Sequence, residues 1–199
     1  MSKKGKKAAR KLAKADRKTT HDIAAHRDTV PARIAGLFGE LADQPQLITA
    51  SIGTIAAGLI VRRPDLVRGG ARMLAAHLVA TAAKTAIKRS FDRTRPAKAL
   101  RDGHRFRAGD STDHELNSFP SGHTAGAVAV ARAASREIDG AAAPAALGVG
   151  AIAAIQPVAG NHCLSDVIVG GAIGWIAEAL VDLAFDRIVS ATGTISSDR

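Results

Sequence analysis

The stretch Val167–Phe185, VIVGGAIGWIAEALVDLAF, contains only two charged residues, Glu178 and Asp182. An α-helix needs about 20 predominantly apolar residues to cross the hydrocarbon core of a membrane. The glycines of this stretch allow close contact between helices in lipid. The stretch therefore predicts a membrane-spanning helix whose acidic side chains lie near the interface or face packed protein, and Arg132 is a candidate internal partner for either of them.

Further stretches with few charges precede it, namely Leu47–Val61 (LITASIGTIAAGLIV), Met73–Ala83 and the uncharged ranges 116–131 and 140–165. We predict helices near 46–62, 70–89, 121–136, 141–158 and 164–187. The expected fold is all-α, a multi-pass membrane bundle of about five or six helices. A soluble, Ala-rich bundle is the alternative, and the lack of Tyr favours it slightly because membrane proteins often carry aromatic belts. No stretch shows a convincing strand alternation.

Most of the net charge lies at the N-terminus. Residues 1–33 hold eleven Lys and Arg residues against three Asp residues, which is +8 of the net charge of +10. We interpret 1–33 as a basic, flexible tail, 34–45 as an amphipathic interfacial segment, 46–187 as the helical membrane domain and 188–199 as a polar C-terminal tail. No apolar run follows the basic residues at once, as it would in a secretory signal peptide. We therefore expect a cytoplasmic N-terminus and a bundle in the plasma (inner) membrane.

Composition narrows the choice of partners. The basic tail could touch anionic lipid headgroups. Only 3% of the residues are aromatic, which argues against a module that stacks nucleic-acid bases, so no specific nucleic acid is expected. The single cysteine, Cys163, excludes an internal disulfide and a multi-cysteine zinc site.

Lys88 and Arg95 stand seven residues apart, at the end of a predicted helix and the start of a polar loop. Pro96 forces Arg95 out of helical geometry and stiffens the backbone there. An arginine fork and a lysine point charge held in this way can clamp a phosphate. A basic loop at a membrane surface would show the same pattern, so this motif alone is weak evidence for a phosphate site.

A second motif is Pro120-Ser121-Gly122-His123, at the start of an Ala- and Val-rich predicted helix. Free backbone N–H groups and the positive end of the helix dipole make such a start an anion site. Gly122 lets a phosphate approach the backbone closely, and His123 can donate a proton to a leaving oxygen. An ordinary serine N-cap followed by an exposed histidine is the plainer alternative.

The third motif is His162 followed four residues later by Asp166. Residues four apart share one face of a helix. A carboxylate can hold one ring N–H of a histidine and leave the other nitrogen free as a nucleophile. Such a pair is more often structural, but Asp166 interrupts an apolar stretch, and an ionisable residue there needs a reason.

In this order, Lys88-x6-Arg95-Pro96, Pro120-Ser121-Gly122-His123 and His162-x3-Asp166 resemble the type 2 phosphatidic acid phosphatase superfamily, and the chain is similar to its small bacterial membrane members. That superfamily includes membrane lipid phosphatases, polyprenyl-diphosphate phosphatases, soluble bacterial acid phosphatases and vanadium haloperoxidases. The resemblance covers about residues 45–187 and leaves the basic tail outside.

The resemblance implies a phosphatase that needs neither metal nor cofactor and acts on a lipid phosphate or diphosphate, of the phosphatidate or the polyprenyl type. It implies that His162 attacks phosphorus and forms a phosphohistidine, that Asp166 orients His162, and that His123 protonates the leaving oxygen. The phosphate would be held by Lys88, Arg95, Ser121 and Gly122.

One position departs from the family pattern. Family members usually carry a Ser-Arg pair ahead of the histidine, where this chain has Ile155 and Gln156. As a phosphate-binding residue, Gln156 would supply hydrogen bonds without charge, and a charged hydrogen bond is worth about 1.5–3 kcal/mol against about 1 kcal/mol for a neutral one. Another cation could fill in, and the candidates are Lys84, Arg93 and Arg107.

Topology allows the three motifs to meet, because two predicted helices lie between His123 and His162 and return the chain to the same side. A cytoplasmic tail followed by two spans would put the site in the cytoplasm, whereas an extra span within 32–45 would move it outward, so the face stays open. Two other functions stay open as well. One is a phosphatase-like protein that binds phospholipid without turnover. The other is a basic arm for an anionic surface, in which case deleting residues 1–30 would spare catalysis.

Overall fold

The computed structural model describes residues 2–196, which form α-helices joined by short turns and one small hairpin. The helices are α1 (Lys3–Ala24), α2 (Val30–Gly39), α3 (Gln44–Ile60), α4 (Pro64–Lys88), α5 (Pro96–Asp102), α6 (Gly122–Glu137), α7 (Ala142–Val158) and α8 (Leu164–Ser196). The antiparallel strands are β1 (Phe91–Arg93) and β2 (Phe106–Ala108). The five predicted helices correspond to α3, α4, α6, α7 and α8, so the expected all-α bundle is confirmed.

Prolines mark where several helices begin. Pro31, Pro45, Pro64 and Pro96 each lie in the first turn of their helix, where a missing backbone N–H removes no hydrogen bond. Arg95, directly before Pro96, has extended backbone angles of φ −62° and ψ 147°, as the proline rule predicts.

The bundle core is built from small side chains. Ala76 and Ala80 of α4, Ala129 of α6 and Ala177 of α8 are all fully or almost fully buried in one cluster. Small residues allow helix backbones to approach closely, and dispersion and packing then stabilise the contact. This close packing fixes the helix ends that carry the three motifs.

Charged side chains inside the bundle pair with each other. Arg132 Nε donates a hydrogen bond to Glu178 Oε2 at 2.8 Å, and the guanidinium stacks on Trp175 with its Cζ 3.4 Å from the ring centroid. Arg136 also pairs with Glu178, and Arg72 pairs with Asp182. The predicted pairing of Arg132 with Glu178 is therefore present, and it offsets the cost of charge in an apolar bundle.

Different contacts join the helices at the two ends of the bundle. Arg68 at the start of α4 contacts Glu137 at the end of α6, with 3.0 Å between Nε and Oε2. At the opposite end, the Ser121 backbone N–H donates to the Asp166 carbonyl at 3.0 Å and joins the starts of α6 and α8. The three sequence motifs all lie at this second end, as the number of predicted crossings requires.

The N-terminal segment differs from its prediction. Where a flexible tail is expected for 1–33, the structure has α1 and the start of α2, and Thr20 and Ala24 of α1 are buried. Thr20 Oγ1 accepts a hydrogen bond from the Leu164 backbone N–H at 3.3 Å, so α1 lies at the motif-bearing end. Because most of the polar residues in this segment are basic, the few small and polar residues through which it packs against the bundle could not be recognised in the sequence.

The segment 34–45 contains the rest of α2, a 3-10 turn, Glu40–Ala42, and the first residues of α3, with Leu37 and Phe38 exposed. Two other regions depart from expectation. The predicted polar tail 188–199 instead continues α8 to Ser196, and its last three residues lie outside the described part. Strands β1 and β2 are only three residues long, too short for an alternating pattern to reveal them.

By length and composition alone, one of the helices in the described range qualifies as a membrane span. It is the segment Leu164–Arg187 of α8, and α7 is apolar but only 17 residues long. The bundle nevertheless exposes many large apolar side chains, among them Ile60, Leu147, Ile168 and Leu180. Lipid is a suitable environment for such a surface.

Adding a methyl group at Gly174 should destabilise the bundle. A Cβ at Gly174 would clash with the Ala125 carbonyl oxygen, whereas one at Gly171 would lie 3.8 Å from Thr124 Cγ2, an ordinary contact. We expect Gly174→Ala to cost about 1–3 kcal/mol and to lower the melting temperature in detergent by several degrees. Gly171→Ala should be neutral, and equal melting temperatures for the two variants would contradict the close packing of α6 and α8.

Candidate active site

A pocket of about 280 Å³ opens where α3, α4, α6 and the turn before α8 meet. Its polar lining consists of Asp43, Gln44, His77, Lys84, Lys88, Arg95, His114, His123 and His162. The backbone of Gly122 completes the wall. Residues of all three sequence motifs therefore surround one cavity, although 74 residues separate Lys88 from His162 along the chain.

His162 has one ring nitrogen occupied and one free. Its side chain is buried, and Nδ1 lies 2.7 Å from the Ser118 carbonyl oxygen. A carbonyl only accepts hydrogen bonds, so Nδ1 carries the proton and Nε2 keeps its lone pair. Burial lowers the pKa of His162 well below its usual value, and the nearby charges of Arg95 and Lys88 lower it further. The ring is therefore neutral near pH 7, as a nucleophile must be.

Asp166 does not hold His162 directly, contrary to the sequence expectation. Its Oδ2 lies 3.9 Å from His162 Nδ1, too far for a hydrogen bond. Oδ2 instead accepts from Ser118 Oγ at 2.6 Å and from the Cys163 backbone N–H at 2.8 Å. The carboxylate thus positions Ser118, whose carbonyl in turn orients the imidazole.

Lys88 and Arg95 are held by backbone carbonyls at the pocket. Lys88 Nζ donates to the Asn117 carbonyl at 2.6 Å, and Arg95 Nε donates to the His114 carbonyl at 3.0 Å. Neither is neutralised by a salt bridge within residues 2–196. Both can therefore direct positive charge at an anion, and they are pre-organised before it arrives.

Lys84 lines the pocket, whereas Gln156, the residue that departs from the family pattern, does not. The Gln156 side chain is completely buried, and its Nε2 would lie 3.4 Å from a Cβ at Gly39. Neither amide atom has a hydrogen-bond partner among the described residues, and the side chain is not part of the pocket lining. Lys84, one turn before Lys88, does line the pocket and supplies a third cation there.

The other two candidate cations point elsewhere. Arg93 pairs with Asp166 and Asp16, with nitrogen–oxygen distances of 2.5 and 2.8 Å. Arg107 Nε lies 3.3 Å from Asp92 Oδ2 on the hairpin. Of the three replacements that the sequence suggested, the pocket contains Lys84.

The second motif forms the start of α6. Ser121 is fully buried and caps the helix, because its hydroxyl accepts from the Thr124 N–H at 3.4 Å, and its side chain is not part of the pocket lining. A Cβ at Gly122 would lie 2.9 Å from Lys84 Nζ, so a larger residue here would displace the end of that flexible side chain. The exposed backbone donors at this end suit an anion.

His123 has an acidic partner that the sequence did not suggest. Its Nε2 lies 2.7 Å from Asp43 Oδ1 at the start of α3. Since the carboxylate accepts, this nitrogen carries a proton. The ring centroids of His123 and His162 are 5.9 Å apart, close enough for both to reach one phosphoryl group. The only sequence signal for Asp43 was its place before a proline-marked helix start.

Asp43 also belongs to a small ligand cluster. Ligand atoms of Glu40, Asp43 and His123 all lie within 4.8 Å of one another, a grouping that could hold a metal ion. The sequence predicted no such cluster, because neither the 3-10 turn between Glu40 and Asp43 nor the packing that brings His123 of α6 beside them can be recognised in it. Burial and the neighbouring Asp43 raise the pKa of Glu40 above its usual value.

A buried histidine with a free nitrogen, a second histidine that carries a proton and three surrounding cations make up a phosphoryl-transfer site. The sequence profile of the PAP2 superfamily matches residues 69–188. The chain belongs to the PAP2 superfamily. The phosphatase fold predicted from the three motifs is confirmed, and this PAP2 chain is a phosphatase. No curated protein matches its sequence significantly.

Two solved structures share this fold. The crystal structure of Aquifex aeolicus LpxE superimposes with a TM-score of 0.59 at 23% identity, covering 82% of this chain and 92% of that one. The transmembrane PAP2 type phosphatidylglycerolphosphate phosphatase from Bacillus subtilis gives a TM-score of 0.61 at 17% identity, covering 89% and 87%. Both likenesses show that the chain shares their fold.

Replacing Lys84 tests its place as third cation. We expect Lys84→Gln to lower kcat/KM for a phosphomonoester by about 10- to 100-fold, because a charged hydrogen bond to the phosphate is worth about 1.5–3 kcal/mol. Lys84→Arg should retain most of the activity. The control is Arg107→Gln, which removes an equal charge outside the pocket. A Lys84→Gln enzyme as active as that control would exclude Lys84 from phosphate binding.

The lowered pKa of His162 sets the acid side of the pH profile. Protonation removes the nucleophilic lone pair, so activity falls only as the pH drops through the lowered pKa. We expect the acidic limb of log kcat/KM, measured from about pH 4 to pH 8, to lie below the usual histidine value of about 6.5. An acidic limb at or above that value would show that the burial of His162 does not depress its pKa in this way.

Proposed function

We propose that the chain hydrolyses the terminal phosphate of a lipid phosphate or diphosphate through a phosphohistidine on His162, without a metal. The free Nε2 of a buried, neutral His162, facing a pocket with Lys84, Lys88 and Arg95, carries this proposal. Electrostatic stabilisation by positioned cations supplies most of the catalysis in phosphoryl transfer.

In the first step, the three cations and the N–H groups at Gly122 hold the phosphoryl oxygens. His162 Nε2 forms a bond to phosphorus while the bond to the leaving oxygen breaks. His123, protonated on both ring nitrogens beside the Asp43 carboxylate, passes its Nε2 proton to that oxygen and becomes neutral. The Ser118 carbonyl keeps the His162 ring aligned and stabilises the charge that develops at Nδ1–H. Asp166 supports this arrangement through Ser118.

In the second step, a water molecule attacks phosphorus opposite the nitrogen. His123, now without its proton, accepts one from this water, and the bond between phosphorus and Nε2 breaks. Inorganic phosphate leaves, and both histidines return to their starting states. Once the leaving group has gone, the Nε2–H of His123 again donates its hydrogen bond to Asp43.

An apolar cavity beside the pocket supports a lipid substrate. It has a volume of about 610 Å³, lies between α2, α3, α6 and α7, and shares Ala42 with the phosphate pocket. Phe38, Leu41, Val130 and Ile152 contribute to its walls. A phosphate in the pocket can thus carry its hydrocarbon chain into this cavity, and the cavity suits a diacylglycerol and a prenyl chain equally.

The same arrangement bears on location. We propose a multi-pass protein of the plasma membrane in which α1, with its many Lys and Arg residues, contacts anionic headgroups. Because α1 docks at the end that carries the pocket, the N-terminus and the pocket lie on one side of the membrane. Labelling a cysteine at position 3 from outside intact cells would therefore report the face of the active site.

A catalytically weak phosphatase that mainly binds phospholipid is the alternative, and Gln156 favours it because the usual arginine charge is missing at this position. The deciding experiment measures phosphate release from lipid phosphates and diphosphates by the full chain in detergent. EDTA is present in one arm, because Glu40, Asp43 and His123 could hold a metal. We expect release that resists EDTA, is blocked by vanadate and is lost in His162→Ala.

Two controls make this experiment decisive. His104→Ala removes a histidine of the same motif-bearing end that is not part of the pocket lining, and it should retain activity. Acid-labile labelling of the wild type by radioactive substrate, absent from His162→Ala, would support the phosphohistidine. Full release by His162→Ala would reject His162 as nucleophile, and release abolished by EDTA would reject metal independence.

A further inference from the structure

A third cavity lies on the other side of Asp166 from the phosphate pocket. It has a volume of about 1060 Å³ and lies between α1, the β1–β2 hairpin and the start of α8. We call it the α1 groove. Its apolar walls are formed by Leu12, Phe106, Phe119, Leu164 and Ile168. It shares none of its lining residues with the phosphate pocket.

Two arginines without a carboxylate partner border the α1 groove. Arg17 and Arg105 are exposed, and neither forms a salt bridge within residues 2–196. The Arg17 Nε donates only to the Ala13 carbonyl of its own helix, at 3.2 Å. Burial together with the charges of Arg93 and Arg17 lowers the pKa of His104, also at this groove, to about 4. The groove is lined by Arg17, Arg93 and Arg105 against one carboxylate, Asp16, and this excess of positive charge favours an anion.

The α1 groove lies where α8, if it crosses the membrane, would enter the headgroup region. It opens beside the first turns of α8, the helix long and apolar enough to cross a membrane, and Ile168 there is 72% exposed. A site with apolar walls and unpaired guanidinium groups at its edge matches an amphiphile that has a phosphate head and an acyl chain. The bilayer around the bundle supplies such molecules.

The floor of the α1 groove contacts the residues that position Asp166. Asp16 Oδ2 accepts from Arg93 Nη2 at 2.8 Å and from Ser165 Oγ at 2.6 Å. Arg93 Nη1 donates to Asp166 Oδ1 at 2.5 Å. Asp16, Arg93 and Ser165 all line the groove. When α1 lies against the hairpin, the contacts that connect Asp16 to Asp166 through Arg93 therefore stay in place.

We propose that the α1 groove binds an anionic phospholipid of the surrounding membrane, with its phosphate on Arg17 and Arg105. The bound lipid activates the phosphatase because it fixes α1, and with it Asp16, against Arg93. Asp16 is thus a positioning residue that acts through Arg93 and Asp166. The sequence predicted that catalysis would survive loss of residues 1–30, whereas this coupling makes the rate depend on α1. The activation rests on the proposed phosphatase function, but the binding does not.

Binding is tested first, without reference to activity. The full chain in detergent is mixed with dioleoyl phosphatidylglycerol or dioleoyl phosphatidylcholine, and bound lipids are counted by native mass spectrometry. We expect one phosphatidylglycerol to bind tightly to the wild type and at least about fivefold more weakly to the Arg17→Gln/Arg105→Gln variant. The control Arg10→Gln/Lys11→Gln removes the same charge from α1 but touches no part of the groove, and it should bind like the wild type.

Activation is then measured in phosphatidylcholine vesicles with and without phosphatidylglycerol, at a constant surface fraction of substrate. We expect the rate to rise about fivefold or more in the wild type and in the control, which is the lower end of usual coupling between two sites. The Arg17→Gln/Arg105→Gln and Asp16→Ala variants should not respond, although Asp16→Ala still binds the lipid. Inorganic phosphate should not substitute for the lipid, because it leaves the apolar walls unfilled.

Each result decides between the parts of the proposal. Equal binding by all variants, or none by the wild type, overturns the groove as a site. Binding without a change in rate, or a full response by Asp16→Ala, overturns the coupling through Asp16. Absence of phosphate release under every condition counts against the proposed function and leaves the binding result standing.

Discussion

The carboxylate of Asp166 is completely buried, and a buried charge is tolerated only when it is surrounded by donors. Its donors come from three parts of the chain, Ser118 before α6, Arg93 on β1 and the backbone of Cys163 at the start of α8. Removing any one of them would leave part of the charge unbalanced. The requirement to satisfy Asp166 therefore ties the three sequence motifs into one unit.

From this unit the geometry of the phosphate pocket follows. Ser118 is fixed by Asp166, and its carbonyl selects the tautomer of His162 that leaves Nε2 free. The packing of α4 against α6 holds Lys84 beside Gly122, and Asp43 at the start of α3 holds the proton on His123. A site of this kind needs little rearrangement when the phosphate arrives, because its charges and donors are already in position.

The same unit faces two cavities. On one side lie the cations of the phosphate pocket, and on the other lie Arg93, Asp16 and the proposed lipid site in the α1 groove. A basic N-terminal helix outside the matched range of the superfamily can in this way influence a residue at the centre of the reaction. Its sequence resembles a solvated charged tail because only a few residues, such as Asp16 and Thr20, make the contacts.

The sequence by itself determined the helical bundle and the candidate residues of the three motifs. Apolar stretches of helical length and chemically distinctive short motifs are local properties, so both can be recognised without a fold. Only the tertiary structure decided that Ser118 rather than Asp166 holds His162, that Lys84 rather than Gln156 supplies the third cation, and that Asp43 and Asp16 belong to the neighbourhood of the site. These contacts join residues far apart in the chain, and their distances depend on how closely the alanine- and glycine-rich helices pack, which no local pattern encodes.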